Sequence, residues 1–150
     1  RGVPPVDEAL PDPVPRGRVR MTLAAPRSTP SERLERLLRE LARHLDLSAV
    51  VVGDPNGLPI ASISQGERTL AATAMATMIL YAAENVASNL GLEGHKDVLI
   101  EGKEWKVLVR SLGQGFTFLG VLEGDVNLGL ARLEVERLMP EIRALLDLML

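Results

Sequence analysis

Residues 49–63, AVVVGDPNGLPIASI, decide how the chain is read: two apolar runs, Ala49 to Val52 and Leu58 to Ile63, flank Gly53-Asp54-Pro55-Asn56-Gly57. Residues of this kind suit tight turns and positive φ angles, so the stretch predicts a β-hairpin. Pro59 has no N–H to give to a ladder, which places the second strand at a sheet edge.

On the N-terminal side of the hairpin, Thr29-Pro30-Ser31-Glu32 supplies an N-cap, a proline for the first helical position and a capping-box glutamate. Leu34, Leu37, Leu38, Leu41, Ala42 and Leu45 then recur at helical spacing, with Arg33, Glu35, Arg36, Arg39, Glu40 and Arg43 opposite. This predicts an amphipathic helix with one buried face. On the C-terminal side, Ser64-Gln65-Gly66-Glu67 is a second capping-box candidate, and a long helix is expected to run to Leu90, where Gly91 stops it.

Three further strand-like runs follow, Asp97 to Glu101, Trp105 to Leu112 and Phe116 to Leu122, joined by Gly102-Lys103 and Gly113-Gln114-Gly115. They read as an antiparallel meander. Asn127 is a cap for a last helix, whose Ala131, Val135, Leu138, Ile142, Leu145 and Met149 alternate in steps of four and three. Pro140 inside it should cost a backbone hydrogen bond and introduce a kink. The expected order is α-β-β-α-β-β-β-α, an α+β fold.

At 150 residues and 46% hydrophobic content the chain can bury one core of ordinary domain size. The formal net charge of -3 and an aromatic share of 3% argue against nucleic acid, which needs clustered cations and stacking rings. Cysteine is absent, which excludes disulfides, thiolate-zinc sites and a cysteine nucleophile and makes a cytoplasmic location the simplest expectation. The longest uncharged stretch, Thr69 to Ala83, falls short of the roughly 20 residues that span a bilayer, so no membrane insertion is expected. The start, RGVPPVDEAL, lacks the apolar centre of a signal peptide.

Seven of the ten prolines lie in the first thirty residues among few large apolar groups. Residues 1–28 are therefore expected to form a flexible tail and residues 29–150 the folded domain. Arg16, Arg18 and Arg20 make a short basic patch in that tail, expected to be solvated, and Met21 offers an alternative native start.

The chemistry of catalysis is sought without result. His44, near the end of the first helix, and His95, in a loop, lie in unrelated elements and fit structural or solvated roles. Gly113-Gln114-Gly115 joins two strands, whereas a phosphate loop leads from a strand into a helix. Asp54, Asp97, Glu101 and Asp125 fall at turns or strand ends, where they cap or stay solvated. No catalytic, cofactor or metal residues are assigned, and the chain reads as a non-enzyme.

The long second helix divides on a wheel of about 100° per residue into three stripes. Ala71, Met75, Ile79, Ala82, Val86 and Leu90 form an apolar side suited to covering the sheet. Ala72, Ala76, Leu80, Ala83 and Ala87 form a stripe of mostly small side chains that would let another helix approach to about 8 Å. Thr73, Thr77, Tyr81, Glu84 and Ser88 form a polar stripe open to a partner. A helix apolar over so much of its circumference needs two buried sides, and a dimer supplies the second.

VVVGDPNGLPIAS at the hairpin, LYAAENVASNLG at the end of the long helix and NLGLARLEVERL at the start of the last one, taken with the order of elements, resemble the Roadblock (dynein light chain) family over about Thr29 to Leu150. The resemblance implies a Roadblock/longin-like (profilin-like) three-layer α/β/α fold. In it a five-stranded antiparallel sheet carries the second helix on one face and the first and last helices on the other. It also implies homodimers that pair the second helices and the third strands, here through Ala72, Ala76, Leu80, Ala83, Ala87, Val98 and Ile100. Bacterial members of the family look like regulators of Ras-like small GTPases, and other members act as scaffolds. That implies a non-catalytic platform for such a GTPase, contacted through Arg68, Thr73, Thr77, Tyr81, Glu84 and Ser88. Arg68 is also a candidate arginine finger, weighed against an ordinary surface arginine. The alternatives are a small-molecule sensor on a similar sheet, or a scaffold independent of any GTPase.

Overall fold

A computed structural model describes residues 28–64, 67–95 and 97–150. All of the expected tail except Ser28, including its Arg16, Arg18 and Arg20 patch, and Gln65-Gly66 of the second capping box lie outside them. The elements run α1 (Pro30–Leu45), β1 (Leu47–Gly53), β2 (Pro59–Ser62), α2 (Glu67–Asn89), β3 (Val98–Glu101), β4 (Trp105–Gly113), β5 (Phe116–Glu123) and α3 (Leu128–Asp147).

Each boundary has a local cause. At α1, the Thr29 hydroxyl accepts from the Glu32 N–H at 3.1 Å, and Glu32 Oε1 accepts from the Thr29 N–H at 2.9 Å. That backbone bond, with the hydroxyl's help, holds the Glu32 carboxyl below its usual range. In the β1–β2 turn, Asp54 Oδ1 accepts from the N–H groups of Asn56 and Leu58, and Gly57 takes a φ of 82°. At α3, Asn127 Oδ1 accepts from the Leu130 N–H. α3 runs through Pro140, which lies exposed on the solvent side, where water can satisfy the carbonyl that the ring leaves unpaired.

The five strands are ordered β2-β1-β5-β4-β3, all antiparallel, with Pro59 on an edge strand as its missing N–H requires. One side chain in two points to each face. Val50, Val52, Leu108, Leu112, Phe116, Phe118 and Leu122 pack with the leucine face of α1 and with Val135, Leu138 and Ile142 of α3. Val51, Val109 and Leu119 point the other way, onto Ala76 and Leu80 of α2. The fold is the three-layer α/β/α arrangement that the family resemblance implies.

Two sequence readings change here. Asp97 is not a solvated strand-end carboxylate: its Oδ2 and Oδ1 accept from Arg132 Nε and Nη2 at 3.1 and 3.0 Å, and Oδ2 also accepts from Arg110 Nη2 at 3.0 Å. Arg110 stands in the inward row of β4 between Leu108 and Leu112, and a charge placed there needs a buried counter-charge. Second, α2 over Arg68–Asn89 is by length and composition long and apolar enough to cross a membrane, which counting uncharged residues alone did not register. In the fold, its Thr73, Ala76 and Leu80 are buried beneath it.

Candidate functional site

Of α1, α2 and α3, α2 is the helix that the fold buries least and the one that leaves most apolar surface exposed. Its sheet-facing side consists of Ala72, Thr73, Ala76 and Leu80, with Ala83 and Ala87 half-buried in the same line. Small side chains let the helix lie low. At Gly53 of β1 an added Cβ would collide with the Thr73 side chain and sit 2.9 Å from Thr117 Oγ1, so glycine is needed for this close approach. The buried Thr73 hydroxyl is satisfied by donating to the Thr69 carbonyl at 2.6 Å.

The stripes of the wheel are therefore reassigned. Ala72, Ala76, Leu80, Ala83 and Ala87, expected at a dimer seam, form the side turned to the sheet, and Thr73, expected to meet a partner, is fully buried. The stripe expected to cover the sheet faces out: Met75 is 56% exposed, Val86 59% and Leu90 67%, joined by Met78 at 69%. A wheel orders residues around a helix axis but does not say which apolar side the sheet takes. Here it takes the one that permits the closer approach.

The two flanks of α2 differ in chemistry. Away from Thr77 and Tyr81, the wheel places Met75, Ile79, Ala82 and Val86 together. On the same sheet face, Trp105 and Ile100 are exposed and Val107 and Val121 half-buried, so apolar surface continues to β3, an edge strand. Val98 and Ile100, expected in the dimer interface, lie on this face of β3, Val98 half-buried and Ile100 exposed. On the other flank, Thr77, Tyr81, Glu84 and Ser88 line a groove of about 870 Å³ whose floor includes Ser111 and Thr117 and whose far wall includes Glu93 and His95. The fold thus brings four of the six expected partner residues to one groove. Arg68 is exposed near the start of α2, outside the groove lining.

Sequence reasoning missed the polar cluster that ties Asp97, just before β3, and Arg110 of β4 to α3. Arg110 is 5% exposed and bridges Asp97 and Glu136, the latter at 3.3 Å. Burial pushes the Asp97 carboxyl up, but hydrogen bonds and charge from Arg132 and Arg110 outweigh it and hold it below its ordinary value. The cluster fixes the strand that borders the exposed α2 surface. The signal for it was an arginine in the apolar row of β4.

Two helices cover one face of the sheet, and on the other face the single helix keeps its outer side apolar and exposed. The chain belongs to the Roadblock/LC7 domain family, whose model matches residues 33–123. It is 34% identical over 113 residues to the uncharacterized protein MJ0714 of Methanocaldococcus jannaschii, a match covering 75% of this chain and 95% of that protein. Its fold is similar to that of Myxococcus xanthus MglB, with a TM-score of 0.72 at 16% identity, over 84% of this chain and 96% of the other. It is also similar to the gliding protein MglB from Thermus thermophilus, with a TM-score of 0.70 at 17% identity, over 81% and 93% of the two chains.

Proposed function

We propose that this chain is a cytoplasmic, dimeric, non-catalytic platform that binds and regulates a small Ras-like GTPase. The observation that carries the reading is the exposed apolar side of α2 beside the edge strand β3. A contiguous apolar surface of this kind on a folded domain marks an association site. Family membership supports a second copy as its occupant. The dimer surface is then Met75, Met78, Ile79, Ala82 and Val86 with Val98 and Ile100. The GTPase meets the polar flank at Thr77, Tyr81, Glu84 and Ser88, with Arg68 near the start of the helix.

Switch segments of such a GTPase order around the γ-phosphate, so a nucleotide-sensitive surface is available to be read. Calorimetry with a Ras-like GTPase from the same organism, in its GTP-bound form, is the direct assay. The double variant Thr77→Lys, Tyr81→Lys should weaken binding strongly while the dimer persists. Arg36→Glu with Arg39→Glu, on the opposite layer, should leave it unchanged. Equal affinity for wild type and the Thr77, Tyr81 variant would move the contact elsewhere, and failure of every such GTPase to bind would favour a scaffold of another kind.

A further inference from the structure

We propose that Arg110, Arg132 and the first turn of α3 form a binding site for a single carboxylate, carried by a small organic acid or by an acidic side chain. The site lies in the layer opposite α2, so it stands apart from the platform reading.

Asp97, Arg110, Gly129, Arg132, Leu133 and Glu136 line an open cavity of about 440 Å³ at the start of α3. Arg110 is the group in it that points to a ligand. Its side chain is buried, its Nη2 donates to Asp97 at 3.0 Å and its Nη1 to Glu136 at 3.3 Å, but its Nε–H has no acceptor among the described residues. Buried polar groups are normally paired, and an arginine N–H can be paired only by an acceptor. That acceptor is what the ligand brings.

Two further donors meet at the same cavity. Arg132 spends its Nε and Nη2 on Asp97, which leaves Nη1 without a partner among the described residues on a side chain that is partly exposed. At the start of α3 the Asn127 side chain satisfies the Leu130 N–H, the N–H groups of Leu128 and Gly129 have no partner within the helix, and the first turn carries no acidic residue. The positive end of the helix dipole therefore faces the cavity at Gly129 without a side-chain charge to answer it.

Charge decides which acceptor fits. Asp97 is shared between both arginines, whereas Glu136 is more than half exposed and held by one bond, so Glu136 is the group that gives way and opens the approach to Arg110. With Glu136 turned to solvent, Arg110, Arg132 and Asp97 leave one net positive charge, which a single carboxylate balances and doubly charged phosphate exceeds. A carboxylate also matches the planar guanidinium. Leu133, exposed on the rim, gives the carbon body of the ligand an apolar surface to lie on.

The test uses the full chain labelled with nitrogen-15, because the Arg110 Nε–H and the Gly129 N–H then report the arrival of an acceptor directly. Sodium acetate, a capped Gly-Glu-Leu-Gly peptide and inorganic phosphate are titrated at constant ionic strength above neutral pH. Both resonances should move saturably with acetate or the peptide, and phosphate should bind more weakly. Arg132→Lys keeps the charge beside Asp97 but removes the planar fork, and should weaken carboxylate binding about tenfold. Glu136→Gln, at an exposed position, should instead tighten it about two- to fivefold, which loss of a merely structural ion pair would not do. No saturable shift with either carboxylate probe, phosphate binding as tight as acetate, or a Glu136→Gln variant that gains no affinity would each overturn the proposal. Tighter binding of the peptide than of acetate assigns the carboxylate to a protein side chain, and the reverse assigns it to a free acid.

Discussion

The sheet presents two faces built from the same strands, and burial is carried to different lengths on them. Under α1 and α3 lies one continuous core, from Leu34, Leu38 and Leu41 through Phe118 and Val50 to Val135, Ile142 and Leu145. Under α2 the buried apolar set is Val51, Ala76, Leu80, Val109 and Leu119, although α2, at 23 residues, is the longest helix among the described residues. Leucines fill the first space, and alanines and a threonine the second. The leucine side is self-sufficient. On the alanine side the large apolar groups of the helix, Met75, Met78 and Val86, point outward, and in the proposed dimer a second copy covers them.

Substitutions can break or sharpen that contrast. Phe118→Ala, in the middle of the satisfied face and 1% exposed, should cost about 3–5 kcal/mol, read as a lowered denaturant midpoint. A loss below 1 kcal/mol would mean that this core is not what holds the domain together.

Asp97→Asn removes the carboxylate shared by Arg110 and Arg132 and should cost about 3 kcal/mol, because Arg110 is left buried with only Glu136 beside it. The same network gives a pH dependence. The folded Asp97 value lies below the unfolded one, so its contribution is complete above the ordinary carboxylate range and is lost as pH falls through the folded value. Acid unfolding curves of wild type and Asp97→Asn should therefore converge as the pH is lowered. Parallel curves would remove Asp97 from the account.

Gly53→Ala tests the close seat of α2. The added methyl meets Thr73 and Thr117, and a loss of about 1–3 kcal/mol is expected from overpacking, again by denaturant titration. Smallest in folding energy is Met78→Lys with Ala82→Lys, two exposed positions where monomer stability should change by less than about 0.5 kcal/mol per site. Yet light scattering should show a folded monomer. Persistence of a dimer would take the outer side of α2 out of the proposed interface. Ala76→Glu, one stripe away, should unfold the chain, since it drives a charge into the sheet.

Much of this was legible in the chain. Thr29 to Glu32, Asp54 to Gly57 and Asn127 act through bonds to their own neighbours, and local signals of that kind are readable without a fold. The leucine periodicity of α1 pointed to its one buried face, because the other side is charged. For α2 the periodicity was correct and the orientation was not: with little charge on the helix, apolar content does not tell sheet-facing from outward-facing stripes.

The sequence by itself determined the elements, their order and the family, since caps, turn residues and alternation depend on positions a few residues apart. Tertiary structure alone decided three things: that the alanine stripe of α2 takes the sheet, that Asp97, Arg110, Arg132 and Glu136 meet, and that Glu84 and Glu93 share a groove with Thr117. Each joins residues distant in the chain. Which of them meet is set by how closely two packed layers can approach, and at Gly53 that distance is set by a single absent Cβ.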